Sequence, residues 1–194
     1  MSVPERTLHR YVAEKFASAP RGTVPVVDGV PGREVQIDFG ELGLMVDPDS
    51  GKRRRVWALV FTAVYSRHCF VFLSFGQTTE VVIAGCEAAW GFFGGVFAVA
   101  IPDNMSAIVT KADATDPVLN QTFVEYAQSR GFVIDPARVR TPTDKPRVER
   151  MVQFVRSSFW NGEAFADLAD AQTKATAWCA GRAGMRTHGT TQCR

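Results

Sequence analysis

Between Glu34 and Phe75 three apolar segments follow one another with only short turns between them, and this spacing constrains the fold more than any other feature of the chain. The first, Glu34 to Phe39, alternates: Val35 and Ile37 fall on one face, Gln36 and Asp38 on the other, the period of two expected of a strand. Asp47-Pro48-Asp49-Ser50-Gly51 is a turn signal leading into a strongly apolar strand, Val56 to Val64. Ser66-Arg67 makes a tight connection to the next strand, His68 to Phe75. Three strands joined in this way predict an antiparallel meander.

Beyond Phe75 strands alternate with helices. Thr78 or Thr79 can cap a helix running to about Phe93, with Val82, Ile83, Cys86, Ala89, Trp90 and Phe93 as its buried face and Gly94-Gly95 as its stop. Val96 to Ile101 is an uninterrupted apolar strand of the kind covered on both sides, ending at Pro102-Asp103-Asn104. A helix is expected over Pro117 to Arg130, with Leu119, Phe123, Tyr126 and Ala127 inward and Gly131 ending it. A short strand is expected over Phe132 to Asp135, a helix from Pro146 to about Trp160, and a last helix over Asp167 to Ala180. The order βββ-α-β-α-β-α-α predicts an α/β mixed sheet, a three-stranded meander plus parallel strands with helices on both faces, and fits the ribonuclease-H-like architecture. Ahead of it, Arg6 to Phe16 carries Leu8, Tyr11, Val12 and Phe16 at near-helical spacing, and residues 17–34 read as a Pro- and Gly-rich linker or extended arm.

The 194 residues suffice for one good-sized domain with short extensions, and no apolar run has the length of a membrane span. Met1-Ser2-Val3-Pro4-Glu5-Arg6 lacks the apolar segment of a secretory signal, so a cytoplasmic location without membrane partners is the expectation. Cys69, Cys86, Cys179 and Cys193 are scattered, as are His9, His68 and His188, which argues against a zinc site, a disulfide framework or nucleophilic serine and cysteine chemistry. Net charge is only +2, but its distribution is uneven. Arg138, Arg140, Lys145, Arg147, Arg150 and Arg156 face only Asp144 and Glu149 in the stretch 138–156, and Lys52-Arg53-Arg54-Arg55 sits in the hairpin turn region. Local basic patches of this kind suit phosphate, although the second patch serves equally to solvate a turn.

Three acids stand at the rims of apolar elements. Asp38 ends the first strand beside Phe39-Gly40, where that strand can bend, Asp103 follows a buried strand, and Glu149 lies in the first turn of a long helix. Ligands gather at the carboxyl ends of such strands in open α/β sheets. Convergent carboxylates are what hard divalent cations require, and a two-metal site can activate water or a 3′-hydroxyl against a phosphodiester. On the Glu149 helix, Val148, Met151, Val152, Val155 and Phe159 form an inward stripe, while Lys145, Glu149, Gln153 and Arg156 form a polar face able to hold flanking phosphates. Taken singly, Asp103 also suits a helix cap, and Glu149 a partner for the helix dipole, Arg150 or Lys145. Asp47, Asp49, Asp113, Asp116, Asp135 and Asp144 are weaker candidates, in turns, a polar loop or a helix-cap position.

Gln36-Ile37-Asp38-Phe39-Gly40, Pro102-Asp103-Asn104-Met105, Asp144-Lys145-Pro146-Arg147-Val148-Glu149-Arg150 and His188-Gly189-Thr190-Thr191 together resemble the IstA-type transposases of bacterial insertion sequences, members of the retroviral-integrase-like DDE superfamily. The segments Glu87 to Gly95 and Glu125 to Gln128 support the resemblance. It implies that Asp38, Asp103 and Glu149 are the catalytic, metal-binding triad. The Asp103-to-Glu149 separation of 46 positions exceeds the retroviral interval and calls for a longer loop, assigned to Lys111 to Pro117. The resemblance also implies a division into a remnant of a helix-turn-helix region with a linker (1–33), an integrase-like core (34–165), and a C-terminal helix with a truncated tail (166–194).

The expected chemistry is DNA 3′-end cleavage and strand transfer by in-line displacement, with two Mg²⁺ ions, replaceable by Mn²⁺, held by the three acids. Lys145, Arg147, Arg150, Gln153 and Arg156 are the expected DNA contacts, and Asn104 is placed to orient a metal-bound water or contact DNA. Transposon ends and target DNA are the expected partners, and the resemblance adds a homo-oligomer on DNA and a helper AAA+ ATPase. Two readings compete: a non-catalytic DNA-binding or interaction fragment of such a transposase, and a ribonuclease H acting on hybrids.

Overall fold

The computed structural model describes residues 29–103, 105–111, 117–136 and 145–186, with Lys111 and residues 145–150 described by backbone alone. The meander is present. β1 (Glu34–Val46), β2 (Arg53–Ala63) and β3 (Cys69–Ser74) pair antiparallel in turn, with Ile37 opposite Phe61 and Leu59 opposite Phe72. Asp47 builds the first turn: Gly51 donates to its carbonyl at 2.8 Å, and its carboxylate accepts from Ser50 Oγ at 2.8 Å and from Arg54 at 2.9 Å. The second turn places Arg67 at φ 62°, an unusual left-handed position for a side-chain-bearing residue.

β1 runs well beyond the expected Phe39. Gly40 does not end it. A register shift between Glu41 and Gly43 absorbs one residue, and the strand continues to Val46 opposite Arg53. The basic run consequently begins β2 rather than only occupying a turn, and Arg54 stacks 4.8 Å from the centre of the Phe75 ring.

β4 (Val99–Pro102) lies parallel to β1, and β7 (Val133–Ile134) parallel to β4, giving the sheet order β3-β2-β1-β4-β7. This is the mixed sheet expected from the sequence. A small ribbon of β5 (Val109–Lys111) and β6 (Val118–Leu119) is an addition to the expected order. It shortens the helix expected from Pro117. Asn120 caps the helix instead, its side-chain oxygen accepting from Phe123 N at 3.3 Å, so α2 runs Gln121–Arg130.

α1 (Thr79–Phe93) and α2 cover one face of the sheet, where Val35, Ile37, Leu59 and Phe61 meet Val82, Cys86, Trp90 and Phe123. α1 comes so close to β2 that a β-carbon on Gly85 would stand 2.6 Å from Leu59 Cδ2. α3 (Lys145–Ser158) and α4 (Leu168–Trp178) cover the other face, where Val56, Val60 and Val71 meet Met151, Val155, Phe159, Ala171 and Ala175. The inward stripe expected for α3 is therefore observed at its described side chains; Val148 lies outside them. Asp167 caps α4 by accepting from Asp170 N at 2.8 Å, and a π-helical turn, Cys179–Ala183, extends the helix.

Gln172 on α4 covers the outer edge of β3. Its side chain accepts from Leu73 N at 2.7 Å and donates to the Val71 carbonyl at 3.0 Å. An edge strand that would otherwise offer free backbone groups is thereby closed. Cys69, Cys86 and Cys179 are buried free thiols, and Cys193 lies outside the described residues. The expected helix over Arg6 to Phe16, most of the linker, and His188 to Thr191 also lie outside them. No helix among the described residues is long and apolar enough to cross a membrane.

Candidate active site

The parallel pairing of β1 with β4 determines where the first two acids stand. Ile37 lies opposite Pro102, so the next residue on each chain is an aspartate. The ladder runs on one residue past that pair: Asp103 N donates to the Ile37 carbonyl at 2.9 Å. Asp38 and Asp103, 65 positions apart in sequence, thus become neighbours at the carboxyl ends of two adjacent strands. Both are half-buried.

They line one open cleft of about 280 Å³. Phe39 lines it from β1, Met105, Ser106 and Ala107 from the turn after β4, and Gln77 from the loop before α1. Ser106 and Gln77 are exposed, whereas Met105 and Ala107 are buried. Side-chain hydrogen bonds hold these walls together. Thr79 Oγ1 donates to the Ala107 carbonyl at 2.9 Å and accepts from Asn120 Nδ2 at 3.1 Å, tying the start of α1 to the Asp103 turn and to the cap of α2. Neither Gln77 nor this brace was singled out from the sequence. A polar residue just ahead of an N-cap, following a strand of the sheet, was the available signal.

Glu149 lies on α3, and its side chain is outside those described. Its backbone position follows from how α3 lies along β1. Gly40 sits under Val152, Arg156 donates to the Glu41 carbonyl, with Nε at 3.1 Å, and Gly43 sits under Trp160. Helix and strand therefore advance in the same sense. Glu149 stands three residues before Val152, about 4.5 Å back along the helix at 1.5 Å per residue. Asp38 stands two residues before Gly40, about 6.6 Å back along the same strand face. Position 149 is thus carried toward the Asp38 end of the sheet.

The remaining candidates are distributed unevenly. Lys145, Arg147 and Arg150 occupy α3, but their side chains, and Asn104 altogether, lie outside the described residues. Gln153 is exposed, and Arg156 Nη1 donates to its side-chain oxygen at 3.4 Å. Arg156 uses two of its nitrogens, Nε and Nη2, to dock α3 to the Glu41 carbonyl. Among the weaker acids, Asp47 is held well below the usual carboxylate range by hydrogen bonds from Arg54 and Ser50, a turn-building role. Among the described residues no group of three or more His, Cys, Asp or Glu side chains is placed to hold a metal. Asp38 and Asp103 supply two all-oxygen donors, the set that suits Mg²⁺ or Mn²⁺ rather than zinc.

This sheet order and its paired helices define a ribonuclease-H-like α/β core of the integrase type. The magnesium-bound catalytic core domain of HTLV-2 integrase superposes with a TM-score of 0.56 at 15% identity, covering 84% of this chain and 93% of that one. A simian T-cell lymphotropic virus intasome chain superposes with a TM-score of 0.58 at 16% identity, covering 82% of this chain and 52% of that one.

By sequence, the chain is related to insertion-sequence transposases, those of the IS21 type among them. It is 40% identical over 189 residues to a candidate transposase of Mycobacterium tuberculosis, covering 96% of this chain and 46% of that protein. It is 29% identical over 153 residues to the transposase of insertion sequence IS21 from Pseudomonas aeruginosa, covering 79% of this chain and 38% of that one. The chain thus spans less than half the length of these two relatives. No family model matches it.

Proposed function

We propose that this chain carries the polynucleotidyl-transferase centre of an insertion-sequence transposase, cutting DNA 3′ ends and joining them to a target. The observation that supports this most is the register that sets Asp38 beside Asp103 in one open cleft at the ends of two parallel strands. In this reading Asp38, Asp103 and Glu149 are the acidic triad that holds Mg²⁺ or Mn²⁺, two ions at a time. When bound, the ions supply Lewis-acid activation of the attacking and leaving oxygens of an in-line displacement.

The chain's own residues do the rest. Asp38 and Asp103 present carboxylate oxygens from rigid strand ends, so little reorganisation accompanies loading. Glu149 completes the set from α3, whose docking through Gly40 and Val152 sets its distance from β1. Lys145, Arg147, Arg150, Gln153 and Arg156 line the helix along which the flanking phosphates run, and Asn104 orients water or contacts DNA beside Asp103. Transposon ends and target DNA are the substrates. A homo-oligomer pairs the ends, and an AAA+ ATPase assists, as in IstA-type systems. The division into 1–33, 34–165 and 166–194 belongs to the same proposal.

The test is nicking of supercoiled plasmid in Mn²⁺ by the wild-type chain beside Glu149→Gln, with strand transfer of a labelled donor end as the second readout. Wild-type nicking that Glu149→Gln abolishes is the expected result. Equal nicking by both refutes the triad. DNA binding without nicking by the wild type leaves only a binding role for this chain.

A further inference from the structure

Gln77 shares the acidic cleft without being an acid. It precedes Thr78, whose hydroxyl accepts from Val81 N at 3.4 Å as the cap of α1, and it follows a turn in which Ser74 Oγ donates to the Gly76 carbonyl at 2.7 Å. The backbone on both sides of Gln77 is therefore tied down while its side chain is exposed on the cleft wall. The next residue but one, Thr79, bonds to the Ala107 carbonyl, which fixes this wall relative to the Asp103 turn.

Among the described residues the ionisable side chains lining the cleft are Asp38 and Asp103, both acidic. A polyanion entering such a cleft meets repulsion wherever cations do not intervene, so neutral donors on the wall are the groups able to hold its backbone there. Side-chain amides are among the common donors to DNA phosphates.

We propose that Gln77 is a DNA-contacting residue whose amide donates to a backbone phosphate of the strand lying across the Asp38–Asp103 cleft. This rests on the transposase reading and adds to it a contact from the loop before α1. Gln77 orients the strand and takes no part in holding metal, so its removal weakens DNA engagement without altering the metal requirement.

The experiment uses the full chain, a labelled duplex oligonucleotide and three variants, Gln77→Ala, Gln77→Lys and Gln77→Glu. DNA binding is measured in Ca²⁺ across a salt series, and nicking in Mn²⁺ across metal and DNA concentrations. Gln77→Ala is expected to raise the half-saturating DNA concentration about tenfold, the loss of about one hydrogen bond to a charged group, with an unchanged Mn²⁺ midpoint. Gln77→Lys is expected to steepen the slope of log affinity against log salt by about 0.9, one added phosphate contact. Gln77→Glu is expected to bind more weakly than Gln77→Ala. Wild-type nicking matched by Gln77→Ala, or a salt slope unmoved by Gln77→Lys, overturns this inference and leaves the transposase reading intact. A wild type that neither binds nor nicks DNA overturns both.

Discussion

Val152 packs on the bare α-carbon of Gly40, where a β-carbon would stand 2.1 Å from Val152 Cγ1. No side chain fits between β1 and α3 at that level, and the same contact sets how far position 149 stands from Asp38. Gly40→Ala is expected to lower stability by about 1–3 kcal/mol through overpacking and to reduce nicking. Val152→Ala in the same chain makes room and should recover most of both. Urea denaturation beside plasmid nicking checks this; a double variant no better than Gly40→Ala would disprove the contact.

Asp38→Asn and Asp103→Asn change charge with little change in shape. Each is expected to reduce metal-dependent cleavage by on the order of 10²–10³ or more, as removal of one preorganised electrostatic group does elsewhere. Circular dichroism and urea midpoints should stay near wild type, because both residues stand at an open rim. Unfolding of either variant would make the acids structural instead.

Thr79 joins three segments through one hydroxyl. Thr79→Val leaves the Ala107 carbonyl and the Asn120 amide without that partner, a cost of about 1–3 kcal/mol for buried groups and less where water reaches them. Thr79→Ser keeps the hydroxyl and should keep most of the stability. If the brace also positions the Asp103 turn, Thr79→Val lowers the maximal nicking rate measured well below its unfolding temperature, and Thr79→Ser restores it. Asn120→Ala removes the cap of α2 and should cost about 0.5–2 kcal/mol.

Glu87 ties α1 to α2, accepting from Tyr126 Oη at 2.7 Å and Arg130 Nε at 2.8 Å. The Tyr126 hydrogen bond first, then Arg130, holds its carboxyl below the ordinary 4.5, while burial and Glu87 push the Tyr126 phenol up. A carboxyl with a depressed folded-state pKa stabilises the fold above its unfolded pKa and loses that contribution as pH falls through the folded value. Wild type should therefore exceed Glu87→Gln in urea midpoint at pH 7, with the gap closing below about pH 4. The group is well exposed, so the gap should be under about 1 kcal/mol. A gap that grows on acidification would contradict the assignment.

Much of the fold was legible in the chain because its signals are local. Alternation in Glu34 to Phe39, the turn at Asp47 to Gly51 and the stop at Gly94-Gly95 each act within a few residues, and each is observed. Errors arose where a nonlocal partner decides. The first strand was expected to stop at Phe39, yet it continues past a register shift at Glu41/Gly43 to Val46, and the bare Gly40 admits Val152 from α3. Leu119 fitted a helical stripe, but pairing with β5 draws Val118 and Leu119 into a ribbon, and Asn120 starts α2 only after them.

Composition and pattern alone determined the order of the five main-sheet strands and the helices, the apolar faces and the presence of acids at strand ends, because hydrophobic periodicity and turn chemistry operate between near neighbours. Only the tertiary structure decided that Asp38 and Asp103 share a cleft, that Gln77 lines it, and that Gly40 meets Val152. Those relationships depend on the parallel register of β1 with β4 and on the docking of α3. Register is a property of two strands at once, selected by the fit of whole faces, and neither strand carries it in its own residues.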